Sequence, residues 1–152
     1  MNKLRIISKL EIKSNNVVKG IRMEGLRKVG DPESLCREYF DGGTDEIIYE
    51  DIVASLYGRN NLVDIISRAA EELFIPLTAG GGIRSLDDFY NLLRAGADKI
   101  SINTHAVKNP NIINEAAKSF GSSCVIVAIQ AKKQTDGSWE AYIENGRERT
   151  SI

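Results

Sequence analysis

Residues 77–104 read LTAGGGIRSLDDFYNLLRAGADKISINT and contain one complete strand–helix–strand unit. The apolar run Leu77 to Ala79 predicts a short strand, which the three glycines Gly80 to Gly82 then interrupt. Ser85 with an acidic residue three positions later is typical of a capping box, so a helix is expected to begin there. Lys99 to Ile102 predict the next strand. Because the helix lies between them, the two strands are expected to be parallel.

The same pattern recurs along the chain. Gly43 to Ile47 (GTDEI) echoes Gly96 to Ile100 (GADKI), and each segment joins the end of a helix to the next strand. Helical spacing, β-branched runs and Pro or Gly boundaries indicate the other elements. The predicted strands are residues 5–12, 46–51 and 124–129, the predicted helices begin near Pro32, Leu62 and Pro110, and hairpins are predicted at 12–18 and 139–146. A long loop is expected between the first hairpin and Pro32.

Four such units and a fifth strand fit either a doubly wound sheet or a (βα)8 TIM barrel. The barrel is favoured, because charged residues open several strands (Arg5, Glu46 and Lys99), as is normal at a barrel mouth. A complete barrel needs about 250 residues. Residues 1–152 are therefore expected to be the incomplete N-terminal part of a TIM barrel. Its two edge strands would require a homo-oligomeric partner, a complementary chain or a continuation of the same chain.

Composition excludes several classes of partner. Lys and Arg number 20 against 21 Asp and Glu, so there is no general attraction to nucleic acid or to an anionic membrane. No apolar run reaches transmembrane length and no signal peptide is evident, so a cytoplasmic protein is expected. Cys36 and Cys124 are expected to be reduced core residues, and the single histidine, His105, to be solvated. Neither a metal nor another cofactor is expected.

The glycine run is the clearest candidate for ligand binding. Without Cβ atoms, the amides from Gly80 to Gly82 can approach an anion closely, and a helix N-terminus follows them. The alternative is a tight turn that needs positive φ. Asn103 and Thr104 end the neighbouring strand and add amide and hydroxyl donors at the same barrel face. The sequence therefore predicts one phosphate site, and the absence of Lys-Ser/Thr after the glycines argues against a P-loop.

Candidate acid–base groups also lie at strand ends. Glu11 and Asp51 follow the first two barrel strands, where barrel enzymes place such groups, although both could be solvated rim carboxylates. Gln130 occupies an equivalent position, but its amide cannot titrate and can only orient or hydrogen-bond a substrate. Lys19 could clamp an anionic ligand from the long loop or be solvated.

The chain resembles a known family, the cyclase subunit (HisF) of imidazole glycerol phosphate synthase, along its whole length from Arg5. The matching stretches are residues 17–20, 30–32, 51–52, 75–76, 80–83, 96–99 and 101–104, together with Glu46 and Thr78. The resemblance implies a closed barrel that uses ammonia to split and cyclise a bis-phosphorylated ribonucleotide. It implies that Gly82, Asn103 and Thr104 bind one phosphate, that Lys19 lies on a mobile loop over the substrate and that Asp51 shapes the pocket.

The resemblance also implies a HisH-like glutaminase partner. Arg5, Glu46 and Lys99 match a charged gate at the ammonia entrance, although a ring of ion pairs there is most often structural, and Asp98 matches a docking residue. Two positions depart from the family, because Glu11 and Gln130 stand where it has catalytic aspartates. The leading hypothesis is therefore a HisF-like subunit that delivers ammonia for sugar amidation in surface-polysaccharide synthesis. The alternatives are a genuine histidine-pathway cyclase and a non-catalytic phosphate-binding or assembly module.

Overall fold

The computed structural model describes residues 4–21, 25–54 and 62–152. Its main feature is a parallel sheet of five strands, extended at one edge by an antiparallel hairpin, in the order β3-β2-β1-β4-β5-β6-β7. The strands are β1 (Ile7–Lys13), β2 (Asn16–Ile21), β3 (Gly25–Gly30), β4 (Glu46–Asp51), β5 (Leu77–Gly80), β6 (Lys99–Ile102) and β7 (Val125–Val127). This α/β architecture of a partial TIM barrel confirms the predicted fold class.

Helices cross between successive parallel strands. They are α1 (Pro32–Asp41), α2 (Leu62–Glu72), α3 (Leu86–Arg94), α4 (Thr104–Lys108) and α5 (Asn111–Phe120). The predicted starts of two helices are confirmed. Asp31 caps α1 by accepting from the amides of Glu33 and Ser34, and Ser85 forms the predicted capping box with Asp88.

Apolar residues on one face of the sheet pack against these helices and form the core. Because side chains alternate along a strand, Ile12, Ile47 and Ile100 are fully buried on this face. Phe89 of α3 stacks on Phe120 of α5 with ring centroids 5.9 Å apart. Cys36 belongs to this core as predicted, whereas Cys124 is only half-buried.

The repeated GTDEI and GADKI segments make the same contacts twice. The Asp45 carboxylate accepts from the Ile6 amide at 2.7 Å, and the Asp45 amide donates to the Ile6 carbonyl at 2.8 Å. One repeat further along, Asp98 forms the same two bonds with Leu77, each at 2.8 Å. Each aspartate thus fastens the start of its own strand to the neighbouring strand. We call this pair of bonds the aspartate clamp.

Three parts of the fold differ from the sequence-based expectation. The predicted first hairpin forms between β1 and β2, but the long loop expected after it contains the end of β2 and the strand β3, which pair in antiparallel fashion. Leu26 and Val29 of β3 are exposed, so no buried alternation marks this strand in the sequence. The predicted fifth strand, 124–129, is shorter, because a 3-10 turn occupies Ser122–Cys124 and the chain leaves the sheet after Val127. The short helix α4 was not predicted.

The last part of the chain forms a second, three-stranded antiparallel sheet. Its strands are β8 (Gln130–Lys133), β9 (Trp139–Ile143) and β10 (Glu148–Arg149), in the order β10-β9-β8. This sheet contains the hairpin predicted from Trp139 to Gly146. In the described part of the chain no helix is long and apolar enough to cross a membrane.

Candidate functional site

A cavity lies at the carboxyl ends of the parallel strands, where barrel proteins place their sites. The loops after β4, β5 and β6 form its walls, and the second sheet supplies β8 and the β9–β10 turn. Its lining includes five residues predicted as site residues, Asp51, Gly82, Asn103, Thr104 and Gln130, and also His105, which was expected to be solvated. The structure therefore brings the predicted phosphate residues together with two of the three candidate catalytic residues.

The glycine run shapes this cavity through a close backbone contact. Gly81 and Gly82 have positive φ values of 98° and 72°. A Cβ on Gly81 would lie 2.9 Å from both the amide nitrogen and the carbonyl carbon of Asp51 and would overlap its carbonyl oxygen. Gly81 therefore needs the tight turn, and both Gly81 and Gly82 line the cavity.

The start of α3 contributes less to the cavity than the sequence suggests. The Asp88 carboxylate accepts from the amides of Arg84 at 2.9 Å and Ser85 at 3.0 Å. Ser85 is the N-cap of α3, and Arg84 directly precedes it. An anion at this wall could use these two amides only by displacing the Asp88 carboxylate.

Asn103 and Thr104 are positioned by contacts to the end of the chain. Asn103 donates from its side-chain nitrogen to the Ala128 carbonyl at 2.8 Å. The Thr104 hydroxyl accepts from the Glu144 amide at 3.1 Å and lies 3.4 Å from the Asn103 side-chain oxygen. The hydroxyl proton can therefore turn from Asn103 towards a ligand in the cavity.

The candidate acid–base residues differ in their placement. Asp51 is buried, and its carboxylate accepts from the Val53 amide at 3.0 Å. Glu11 is half-buried on β1 and lies opposite Glu50 in the parallel register, outside the cavity lining. Lys19 lies on β2 and not on a mobile loop, because the hairpin pairs it with Arg27. It is also not among the lining residues.

The charged ring at the opposite end of the sheet forms as predicted. Glu46 is buried and accepts from the Lys99 ammonium at 2.7 Å and the Thr78 hydroxyl at 2.8 Å, with Arg5 3.6 Å away. Burial by itself would raise the pKa of the Glu46 carboxyl. The hydrogen bonds from Lys99 and Thr78 and the charges of Lys99 and Arg5 outweigh burial, so the pKa lies below its ordinary value. Glu46 is therefore held as a carboxylate.

Several residues near the site are not indicated by the sequence. Glu50 lines the cavity and forms an ion pair with Lys9 on the neighbouring strand. Glu144 and Asn145 reach the cavity from the β9–β10 turn, and Lys108 contacts the Glu144 carboxylate at 3.4 Å. Alternation along β4 could have indicated Glu50, because it lies on the same face as Glu46. No local pattern indicates that a distant hairpin returns to the cavity.

The described residues offer no site for a metal ion. No group of three or more His, Cys, Asp or Glu residues within these ranges is arranged to hold one. Single carboxylates line the cavity, but a metal normally needs several converging ligands. The polar lining of the cavity combines backbone amides, hydroxyls, side-chain amides and carboxylates with the side chains of Arg84, His105 and Lys108.

The parallel strand–helix units, with a cavity at the carboxyl ends of the strands, place the chain in the class of (βα)8-barrel proteins. Within this class it belongs to the histidine biosynthesis protein family, whose model matches residues 5–152. It is 53% identical over 152 residues to the imidazole glycerol phosphate synthase subunit HisF of Legionella pneumophila. It is 50% identical over 148 residues to the HisF subunits of two Bacillus cereus strains, AH187 and Q1.

These matches cover nearly the whole chain but only part of each relative. The alignment includes 100% of this chain and 72% of the Legionella protein, and 97% of this chain and 59% of each Bacillus protein. The family resemblance predicted from the sequence is thereby confirmed.

Proposed function

We propose that the chain supplies the cyclase-type part of an imidazole glycerol phosphate synthase. The observation that carries this proposal is the cavity, which brings Gly82, Asn103 and Thr104 together with Asp51 at the carboxyl ends of the strands. The names of the relatives support it, since each is a HisF subunit. They favour the histidine-pathway alternative over the sugar-amidation hypothesis, which the relatives do not support.

Phosphate binding at Gly82, Asn103 and Thr104 is the first element of the proposal. Gly82 has φ of 72° and lines the cavity, so its backbone can approach an anion without a Cβ in the way. Thr104 supplies a hydroxyl proton whose present acceptor is only a weak partner at 3.4 Å. One phosphate group of the substrate would rest against these donors.

Acid–base chemistry is assigned to Glu11 and Asp51. Gln130 lies at the cavity wall and can orient a substrate, but its amide cannot exchange a proton at neutral pH. Glu11 is half-buried on the face that carries the charged ring, so its carboxylate can serve a ligand that extends past the cavity. The proton transfers of the reaction would therefore depend on one glutamate and one aspartate.

The second element is delivery of ammonia by a HisH-like glutaminase subunit. The ring of Arg5, Glu46 and Lys99 lies at the amino ends of the strands, opposite the cavity. Asp98 is exposed beside this ring, and its carboxylate and its amide both bond to Leu77. A partner that docks at this end would face the ring, and the ring would control the entry of ammonia into the barrel interior.

Assembly is the third element. Among the described residues, β7 pairs only with β6, and β1 pairs with β2 only at Ile12 and Lys13. These open strand edges favour a homo-oligomer, a complementary chain or further strands of a longer barrel. That residues 1–152 are the N-terminal part of such a barrel stays a prediction. Sedimentation equilibrium measures the oligomeric state of the chain. A monomer whose β1 and β7 amides are protected from hydrogen exchange would contradict pairing between chains.

Turnover of the bis-phosphorylated aminoimidazole ribonucleotide with ammonium salts tests the proposed activity. We expect turnover by the protein and its loss in Glu11→Gln, while Glu148→Gln, on the exposed strand β10, should retain it. Turnover with glutamine should additionally require the glutaminase partner. Absence of turnover with ammonium would refute the cyclase proposal. If the protein nevertheless raised glutaminase activity in its partner, the sugar-amidation hypothesis would be favoured over a non-catalytic module.

A further inference from the structure

An ion pair lies on the face of the sheet that carries the charged ring. The Lys9 ammonium of β1 contacts the Glu50 carboxylate of β4, and the Glu50 side chain is only 16% exposed. Leu10 and Ile12 of β1 are buried in the core, so alternation places Lys9 on the opposite face. The interior of a TIM barrel is filled mainly by bulky apolar side chains, so a charged pair at this position requires a reason.

Glu11 is a neighbour of both members of this pair. It lies directly opposite Glu50 in the parallel register, and it follows Lys9 by two residues on the same face of β1. Like charges directly opposite each other in a sheet are destabilising, so the two carboxylates compete for a nearby cation. Lys9 contacts Glu50, and no ion pair within the described ranges includes Glu11.

The other charges around Glu11 are solvated or already paired. Lys13 follows on the same face of β1 and is exposed. Glu46, the other acid on this face of β4, belongs to the charged ring. On the other side of β1, the strand β2 pairs only beyond Glu11 and through uncharged residues. In the described part of the sheet, the balance between Lys9 and Glu50 therefore determines the electrostatic field at Glu11.

We propose that Lys9 and Glu50 are positioning residues that keep the Glu11 carboxylate available for proton transfer. The inference rests on the proposed function, which assigns acid–base chemistry to Glu11. Glu50 holds the Lys9 ammonium away from Glu11, since a carboxylate paired with a fixed cation binds a proton less readily. Lys9 in turn neutralises the Glu50 charge, which would otherwise repel the Glu11 carboxylate across the two strands. Neither side chain has to touch the substrate for this role.

Carboxyl-detected NMR of protein labelled with carbon-13 glutamate measures the titration of Glu11, with Glu11→Gln used to assign its signal. In Glu50→Gln we expect Lys9 to turn to Glu11 and to move the titration midpoint down by about 0.5–1 pH unit, since Lys9 is partly exposed and solvent screens it. In Lys9→Met the unpaired Glu50 charge should move the midpoint up by about 0.5 pH unit. Both variants should keep native far-UV circular dichroism.

Glu72→Gln is the matched control for these variants. It breaks an exposed ion pair between Glu72 and Arg37 on the helices and should leave the Glu11 midpoint unchanged. Unchanged midpoints in both test variants would overturn the inference. A shift in Lys9→Met alone would also overturn it, because Lys9 would then already be the partner of Glu11.

Turnover with ammonium salts separates this inference from the proposed function. We expect the acidic limb of the pH–rate profile to move in the same two directions as the midpoint, and kcat to fall roughly tenfold in Glu50→Gln, where Lys9 occupies Glu11. A merely structural ion pair would move neither limb. Turnover with unchanged midpoints would refute the positioning role and leave the cyclase proposal intact. Opposite midpoint shifts without turnover would refute the cyclase proposal but support the control of Glu11 by the pair.

Discussion

Replacing Gly81 with alanine tests the close contact between the glycine turn and the Asp51 backbone. Two costs follow from the structure. Positive φ at 98° costs about 1–2 kcal/mol for any residue with a Cβ. The added Cβ would also overlap the Asp51 carbonyl oxygen, and relieving such overpacking costs typically 1–3 kcal/mol more. We therefore expect the free energy of unfolding to fall by about 2–5 kcal/mol in Gly81→Ala.

Gly137→Ala is the matched control for this prediction. Gly137 has φ of 88°, and a Cβ there would meet nothing within 4 Å. Gly137→Ala should therefore lower the free energy of unfolding by the backbone cost alone, about 1–2 kcal/mol. Urea unfolding of both variants measures the difference, which is the steric part at Asp51. If Gly81→Ala were no less stable than Gly137→Ala, the contact with Asp51 would not constrain the site, and the reasoning would be refuted.

Three further predictions concern the ring, the clamp and the phosphate site. Glu46→Gln should lower the free energy of unfolding by about 2–3 kcal/mol at pH 7, near the lower end for a broken buried pair because Lys99 and Arg5 stay partly hydrated. Since the pKa of Glu46 is lowered by folding, its stabilisation is complete above the ordinary value of 4.5 and is lost as the pH falls through the folded value. Urea unfolding measured at pH values from about 3 to 7, the range in which carboxylates titrate, should therefore give a free energy of unfolding that changes less with pH in Glu46→Gln than in the unsubstituted protein. An equal dependence on pH would contradict the ring. Asp98→Ala should lower the free energy of unfolding by about 1 kcal/mol through the lost bond to the Leu77 amide, whereas Asp41→Ala, an exposed aspartate at the end of α1, should not lower it. Thr104→Val should weaken inorganic phosphate binding roughly tenfold by calorimetry, and unchanged affinity would exclude its hydroxyl from the site.

Much of the parallel sheet could be predicted from local sequence. The capping box at Ser85, the Asp31 cap and the GTDEI and GADKI repeats each act within a few residues, so their patterns are visible without tertiary context. The strand ends at Asp51 and Asn103 follow from the same periodicity. Because strand ends of parallel units meet at one face, the cavity position also followed.

The rest of the site depends on contacts between distant segments. Glu144 enters the cavity because its amide bonds to Thr104, 40 residues earlier in the chain, and no periodic pattern records such a contact. The strand β3 was missed because its side chains are exposed and its pairing is with β2 alone among the described strands. The sequence therefore predicts a loop at Lys19, although pairing with Arg27 makes it part of a strand. Propensity could not reveal either arrangement, since tertiary pairing decides both.

The aspartate clamp aligns the strands at the amino ends of the sheet, whereas the loops that bind ligands lie at the carboxyl ends. A slip of one residue between neighbouring strands would turn every side chain to the opposite face. Asp45 and Asp98 resist such a slip at the amino ends, because each bonds the start of its own strand to the start of the preceding parallel strand. The loops at the carboxyl ends do not have to maintain the alignment of these strands. These loops can consequently change in length and composition, and bind new ligands, while the register of the strands is unchanged.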